Sequence, residues 1–197
     1  MTMLGKIART LAVASAPVLA GALAANAASP PDREARAERL AEVDPFLEEL
    51  ARPDVADAAR VEAEIRRRWA ESGSAALDLL YRRGREALEA GETAVAIQHF
   101  SAAIEIDPDF AEAWNGRATA FYLRDEYGLA IEDVGVAIQL NPRHWEALFG
   151  LGIMLEELGE NAAALEAYRR SAAINPHQDR LADAIARLER DIDGQEL

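Results

Sequence analysis

The segments 103–110 (AIEIDPDF), 137–144 (AIQLNPRH) and 171–178 (SAAINPHQ) place Pro108, Pro142 and Pro176 at a constant spacing of 34 residues. A fixed period of this length marks a repeat architecture. Each unit is one helical hairpin that cannot bury its apolar face alone, so successive units stack. With each proline at the 32nd position, the units begin at Leu77, Ala111 and Trp145. Small residues then align at the eighth position (Gly84, Ala118, Gly152), the twentieth (Ala96, Ala130, Ala164) and the twenty-seventh (Ala103, Ala137, Ser171). Larger side chains align at the fourth (Leu80, Trp114, Leu148), and Phe100, Val134 and Tyr168 share the twenty-fourth. Small residues facing large ones let two helices approach closely.

Local signals agree with this register. Gly91 and Gly159 fall between the two helices of the first and third units, where a left-handed residue closes a helix. The second unit has Arg124-Asp125 there, a weaker stop. Each proline disfavours helix in the residue before it, so Asp107, Asn141 and Asn175 end the second helices. The expected helices are Ala76–Ala90, Thr93–Ile106, Ala111–Leu123, Tyr127–Leu140, Trp145–Leu158 and Asn161–Ile174.

Over Leu77–Gln178 the chain resembles the tetratricopeptide repeat family, whose 34-residue units carry these small, aromatic and proline positions. The departures are Arg83 and Arg117 at the seventh position, where the family usually has leucine, Val134 for an aromatic and Ser171 for alanine. The resemblance implies an all-α, right-handed α-solenoid of three hairpins (77–110, 111–144, 145–178).

The flanking segments complete the expected organisation. Residues 1–27 read as a secretory signal: Lys6 and Arg9, the apolar run Leu11–Ala25, and Ala25-Asn26-Ala27 as a small-x-small cleavage site. No cysteine is present, which excludes a lipoprotein anchor, disulfides and thiolate metal ligands. Residues 28–33 read as a flexible linker. Residues 34–74 read as a cap of two helices stacked on the first hairpin, one over Glu34–Ala51 with Pro45 a candidate break, the other capped by Asp54 and running to Trp69. Asp179–Arg190 reads as a solvating helix with Leu181, Ile185 and Leu188 on one face, and residues 192–197 as a disordered tail.

Beyond the signal, the chain sets 19 arginines against 35 acids, a balance of −16. Such charge argues against nucleic acid and against anionic lipid, and nothing in the mature chain calls for stable membrane insertion. No catalytic constellation assembles. A nucleophile elbow and a glycine-rich phosphate loop are both missing from the sequence. His99, His144 and His177 lack metal-ligand spacing, and the last two read as polar turn residues. The expectation is a non-enzyme without cofactor or metal.

In the resembled family the first helices line a concave groove. The corresponding positions here include Tyr81, Arg85 and Leu88, then Asn115, Thr119 and Tyr122, then Phe149 and Ile153. Exposed aromatics suit binding hot spots. Either Tyr81, Tyr122 and Phe149 face a protein or peptide partner, or the N-terminal helices fold over the groove and bury them. Some family members clamp a terminal carboxylate with lysines and asparagines. Lysine is absent from this groove, and Glu112, Glu146 and Glu156 stand in it, so the expected ligand is an apolar or aromatic segment flanked by basic residues. The expected function is that of an adaptor or assembly factor in the periplasm or cell envelope. The alternative is a client-holding chaperone or regulatory subunit of an exported enzyme complex.

Overall fold

The computed structural model describes residues 30–195. The export signal expected over residues 1–27 lies outside them. The described chain is all helical: α1 (Pro30–Ala41), α2 (Asp44–Leu50), α3 (Ala58–Trp69), α4 (Ala75–Glu89), α5 (Thr93–Ile106), α6 (Ala111–Tyr122), α7 (Tyr127–Leu140), α8 (Trp145–Glu157), α9 (Asn161–Ile174) and α10 (Leu181–Gln195). The pairs α4–α5, α6–α7 and α8–α9 are the three expected hairpins, and together they form an α-solenoid.

The hairpin turns share one geometry. Glu92, Glu126 and Glu160 donate their backbone N–H groups to the carbonyls of Ala87, Phe121 and Leu155. This closure requires a left-handed residue just before the donor. Gly91 (φ 75°) and Gly159 (φ 79°) supply it, and Asp125 takes φ 60° in the second hairpin. Aspartate tolerates that region better than most residues, so the weaker stop still closes the helix.

The corners between hairpins also repeat. Asp107, Asn141 and Asn175 are extended, as a residue before proline should be. Each side chain accepts the backbone N–H two residues on, from Asp109 (3.1 Å), Arg143 (3.2 Å) and His177 (3.0 Å). The Asp/Asn-Pro dipeptide therefore stops one helix and shapes the turn into the next.

Packing inside the hairpins depends on missing side chains. The Phe100 ring lies so close to Gly84 and Gly116 that a Cβ would come within 2.6 Å and 2.5 Å of it. Tyr168 occupies the equivalent place against Gly152. Where the second unit has Val134 instead of an aromatic, Ala118 replaces the glycine and both are buried in one cluster. The departure at Arg117 is compensated as well. Its guanidinium bonds buried Asp133 through Nε (2.6 Å) and Nη2 (2.9 Å), reaches Ser101 Oγ at 3.1 Å, and lies 4.9 Å from the Trp114 ring. Arg83 is simply exposed.

The N-terminal helices differ from the expected end cap. They number three, because Pro45 sits in the first turn of α2 and ends the preceding helix, and Asp57 rather than Asp54 caps α3 by accepting the Arg60 N–H at 2.9 Å. Helix α1 already begins at Pro30, inside the stretch read as linker; proline is tolerated in a first turn because its missing N–H is not needed there. Together α1–α3 form a strap laid lengthwise across the three corners. Arg36 pairs with Asp107 and Asp109 at the first corner, and Arg143 with Asp44 at the second. At the third, His177 Nε2 meets the Arg52 carbonyl (2.9 Å) and Asn175 donates to Glu62 (2.7 Å). The chain then returns along α3, where Val61, Ile65 and Trp69 join Val43, Leu47 and Leu50 of the α1–α2 turn and α2 in a cluster with Trp145. The reason is apolar surface: at these corners the amphipathic strap buries Trp145 and partly covers Ile174.

At the other end α10 packs Leu181 and Leu188 on α9, and it runs on through Ile192 into the stretch expected to be disordered. Among the described residues no helix is long and apolar enough to cross a membrane.

The packing predicts that Gly84→Ala, which drives a Cβ into the Phe100 ring, costs roughly 1–3 kcal/mol. Gly135→Ala, where a Cβ meets nothing within 4 Å, should gain about 0.5–1 kcal/mol. Urea unfolding of the two variants checks the pair.

Candidate functional site

The first helices of the three hairpins curve around a cavity of about 510 Å³. Helix α4 contributes Tyr81, Arg85 and Leu88, α6 contributes Asn115, Thr119 and Tyr122, and α8 contributes Ile153 and Met154. Seven of the eight residues expected in the groove therefore line one cavity. Phe149 does not; it packs 5.6 Å from Tyr168, beside α10. Of the strap, only Arg66 reaches the lining, so the N-terminal helices stand beside the cavity instead of lying over it.

The aromatic residues are less free than their positions suggest. Tyr81 is only 8% exposed, with its ring 5.4 Å from Phe110 and 5.9 Å from Phe100. It belongs to the core of the first hairpin and shows one edge at the cavity. Tyr122 is half-buried and donates to Glu157 Oε1 at 2.8 Å, while Tyr127 donates to Oε2 of the same carboxylate at 2.8 Å. That shared acceptor raises both phenols above their ordinary range, Tyr127 to about 12.

The acids expected to repel a carboxylate are all engaged. Glu146 accepts from Arg66 Nε at 2.8 Å. Glu156 pairs with Arg187 and accepts from Tyr168 at 3.1 Å, and Arg187 holds its carboxyl below the ordinary range. Glu112, only 7% exposed, accepts from the Tyr81 hydroxyl at 3.2 Å and sets its other oxygen 3.0 Å from His144 Nε2, although that second contact is poorly aligned for a hydrogen bond.

His144 is the residue that sequence reasoning misplaced. It is fully buried, caps α8 by accepting the Ala147 N–H at Nδ1 (3.3 Å), and lies 4.9 Å from the Trp69 ring of the strap. A buried chain of contacts thus runs from the cavity to the strap: Tyr81, Glu112 and His144 through polar atoms, then His144 to Trp69 ring on ring. Its histidine lacked any periodic signal, and the one available clue was a side chain able to cap the helix that starts at Trp145. Burial opposes charge on His144, but the facing Glu112 carboxylate, with Glu146 behind it, outweighs burial and raises its pKa above 6.5. Protonation gives up a long capping bond and gains an ion pair. Tyr81 moves the same way: burial first, then the Glu112 charge, hold its phenol well above the ordinary range, so it stays a donor.

This arrangement offers a cavity lined by apolar and small residues and by a balanced set of polar ones. The described residues contain no group of three metal-ligating side chains. The sequence pattern of the tetratricopeptide repeat matches residues 81–138 and 133–179. The chain belongs to the tetratricopeptide repeat family. A TPR repeat-containing protein of Rhizobium etli is 32% identical over 145 residues, 73% of this chain and 71% of that protein. Among solved structures, the first tetratricopeptide domain of Spaghetti, bound to the HSP90 peptide SRMEEVD, superposes with a TM-score of 0.57 at 19% identity, covering 60% of this chain and 94% of that one. MamA superposes with a TM-score of 0.56 at 24% identity, covering 72% and 86%. Both likenesses are of fold alone.

A histidine whose folded pKa is raised contributes stability that is present below its unfolded pKa and lost as pH rises through the folded value. The melting temperature of the native chain should therefore exceed that of His144→Asn by most near about pH 5.5–6, with the gap narrowing above the raised pKa. Asparagine can still cap α8, so the pH dependence of the gap, followed by circular dichroism, reports the Glu112 pair.

Proposed function

We propose that this tetratricopeptide protein binds an apolar segment of a partner protein along its concave cavity and acts as an adaptor or assembly factor. The observation that carries the reading is the cavity itself. Its apolar and small lining includes Leu88, Gly116, Val134, Gly150, Ile153 and Met154, and its polar lining includes Arg85, Asn115, Thr119 and Tyr122. In such a lining a few polar groups fix orientation while apolar area supplies affinity. The lining acids are already paired within the chain, so they add little attraction for a basic flank. The HSP90 peptide held by the similar Spaghetti domain supports a peptide ligand of some kind. No catalytic arrangement is proposed.

The sequence of residues 1–27 supports export, and the reading extends to a periplasmic or envelope location after cleavage behind Ala27. Edman sequencing of the purified chain should then begin at Ala28; an intact Met1 would reject export by this signal.

Gly150 provides a clean test of the cavity. It lines the cavity, and a Cβ there would meet nothing within 4 Å, so a large side chain can grow into the cavity without disturbing the fold. Peptides selected on the native protein from a displayed library should bind Gly150→Leu at least about tenfold more weakly, a loss of about 1.4 kcal/mol. The variant should melt no lower, because leucine favours helix over glycine. Unchanged affinity in the blocked variant would move the binding surface elsewhere.

A further inference from the structure

A second concavity lies beyond α8, between that helix and α10, with a volume of about 600 Å³. Its apolar wall is the half-buried Phe149 ring, with the Tyr168 ring buried behind it at 5.6 Å and 42°. Its charged lining is Arg180, Arg187 and Arg190 against the single carboxylate of Asp183. Three guanidinium groups against one acid stand out in a chain whose net charge is −14. Arg187 is already held by Glu156. Among the described residues Arg180 and Arg190 have no carboxylate in ion-pair reach, and both are exposed.

We propose that this annex binds an acidic segment of a partner protein, in which carboxylate side chains flank an apolar residue. The carboxylates pair with Arg180 and Arg190, and the apolar residue rests on Phe149, which the buried Tyr168 ring backs. Arginine suits the task because its planar fork bonds a carboxylate through two parallel N–H groups. An aromatic wall beside it supplies apolar area at low entropy cost. A basic segment is disfavoured by Arg180 and Arg190, and a neutral one leaves their charge unanswered. The proposal stands apart from the main cavity: the two sites are lined by different residues of α8, Phe149 here and Ile153 there.

The probe is a fluorescein-labelled peptide of alternating glutamate and leucine, compared with its glutamine–leucine counterpart by fluorescence anisotropy on the full chain at low salt. Expected is binding of the glutamate peptide that weakens about tenfold or more in Arg180→Gln/Arg190→Gln, weakens with added salt, and is unchanged in Gly150→Leu. Arg187 is left in place so that its pair with Glu156 is kept. Equal binding of the glutamine peptide, equal binding by the double variant, or no binding at all overturns the proposal. Loss in Gly150→Leu alone would put the peptide in the main cavity and overturn it as well. A native dimer that the double variant dissolves, seen by sedimentation, would make the occupant a second copy of the chain and overturn it too.

Discussion

One buried carboxylate joins most parts of this structure. Glu112 projects from the first turn of α6, in the middle hairpin, and meets Tyr81 of the first hairpin and His144 at the entry to the third. Taking a carboxylate out of water costs several kcal/mol unless partners answer it. Here the partners come from the two neighbouring hairpins, so satisfying the charge fixes the relative position of all three. Trp69 closes the arrangement by packing on the His144 ring at 4.9 Å and on the Trp145 ring at 4.7 Å. Tyr81 at the cavity and Trp69 of the strap are thereby linked through Glu112 and His144.

The strap gives that cluster its setting. A stack of hairpins exposes a row of corners, each with an Asp or Asn stop, a proline and the apolar start of the next helix. Helices α1–α3 cross these corners in both directions and hold them with paired charges and with Val43, Leu50, Val61 and Ile65, all fully buried. Several of the ion pairs are exposed and each adds little alone. Burial of the apolar side chains stabilises the strap more than these pairs do, and the charges set its register. By lying along the corners the strap leaves the concave side open, which is the condition for the cavity to receive a ligand.

The sequence made the hairpins legible because repetition samples each position three times. Helices α5, α7 and α9 begin and end at the residues read from the pattern, and the small positions face the rings expected of them. What repetition did not sample stayed hidden. A periodic apolar face such as Val61, Ile65 and Trp69 on α3 says that something will be buried and does not say against what, and Glu62 finds Asn175 across 113 residues. His144 looked like a polar turn residue because local sequence carries no sign of Glu112 and Trp69 arriving from elsewhere. Arg117 looked like a departure from the repeat, and Asp133, 16 residues on, restores the balance. Tyr81 was assigned to the groove by position, and it does line the cavity, but its size also let it fill the gap between Phe100 and Phe110.

Through Tyr81 and His144, and Trp69 packed on His144, Glu112 couples the three hairpins to the strap. Native-state hydrogen exchange on Glu112→Gln tests it most directly. Expected is faster exchange at the first turn of α8, including the Ala147 amide, in α4 around Tyr81 and along α3, with α9 and α10 unchanged. Faster exchange confined to the first turn of α6, with α3, α4 and α8 as protected as in the native chain, would contradict it.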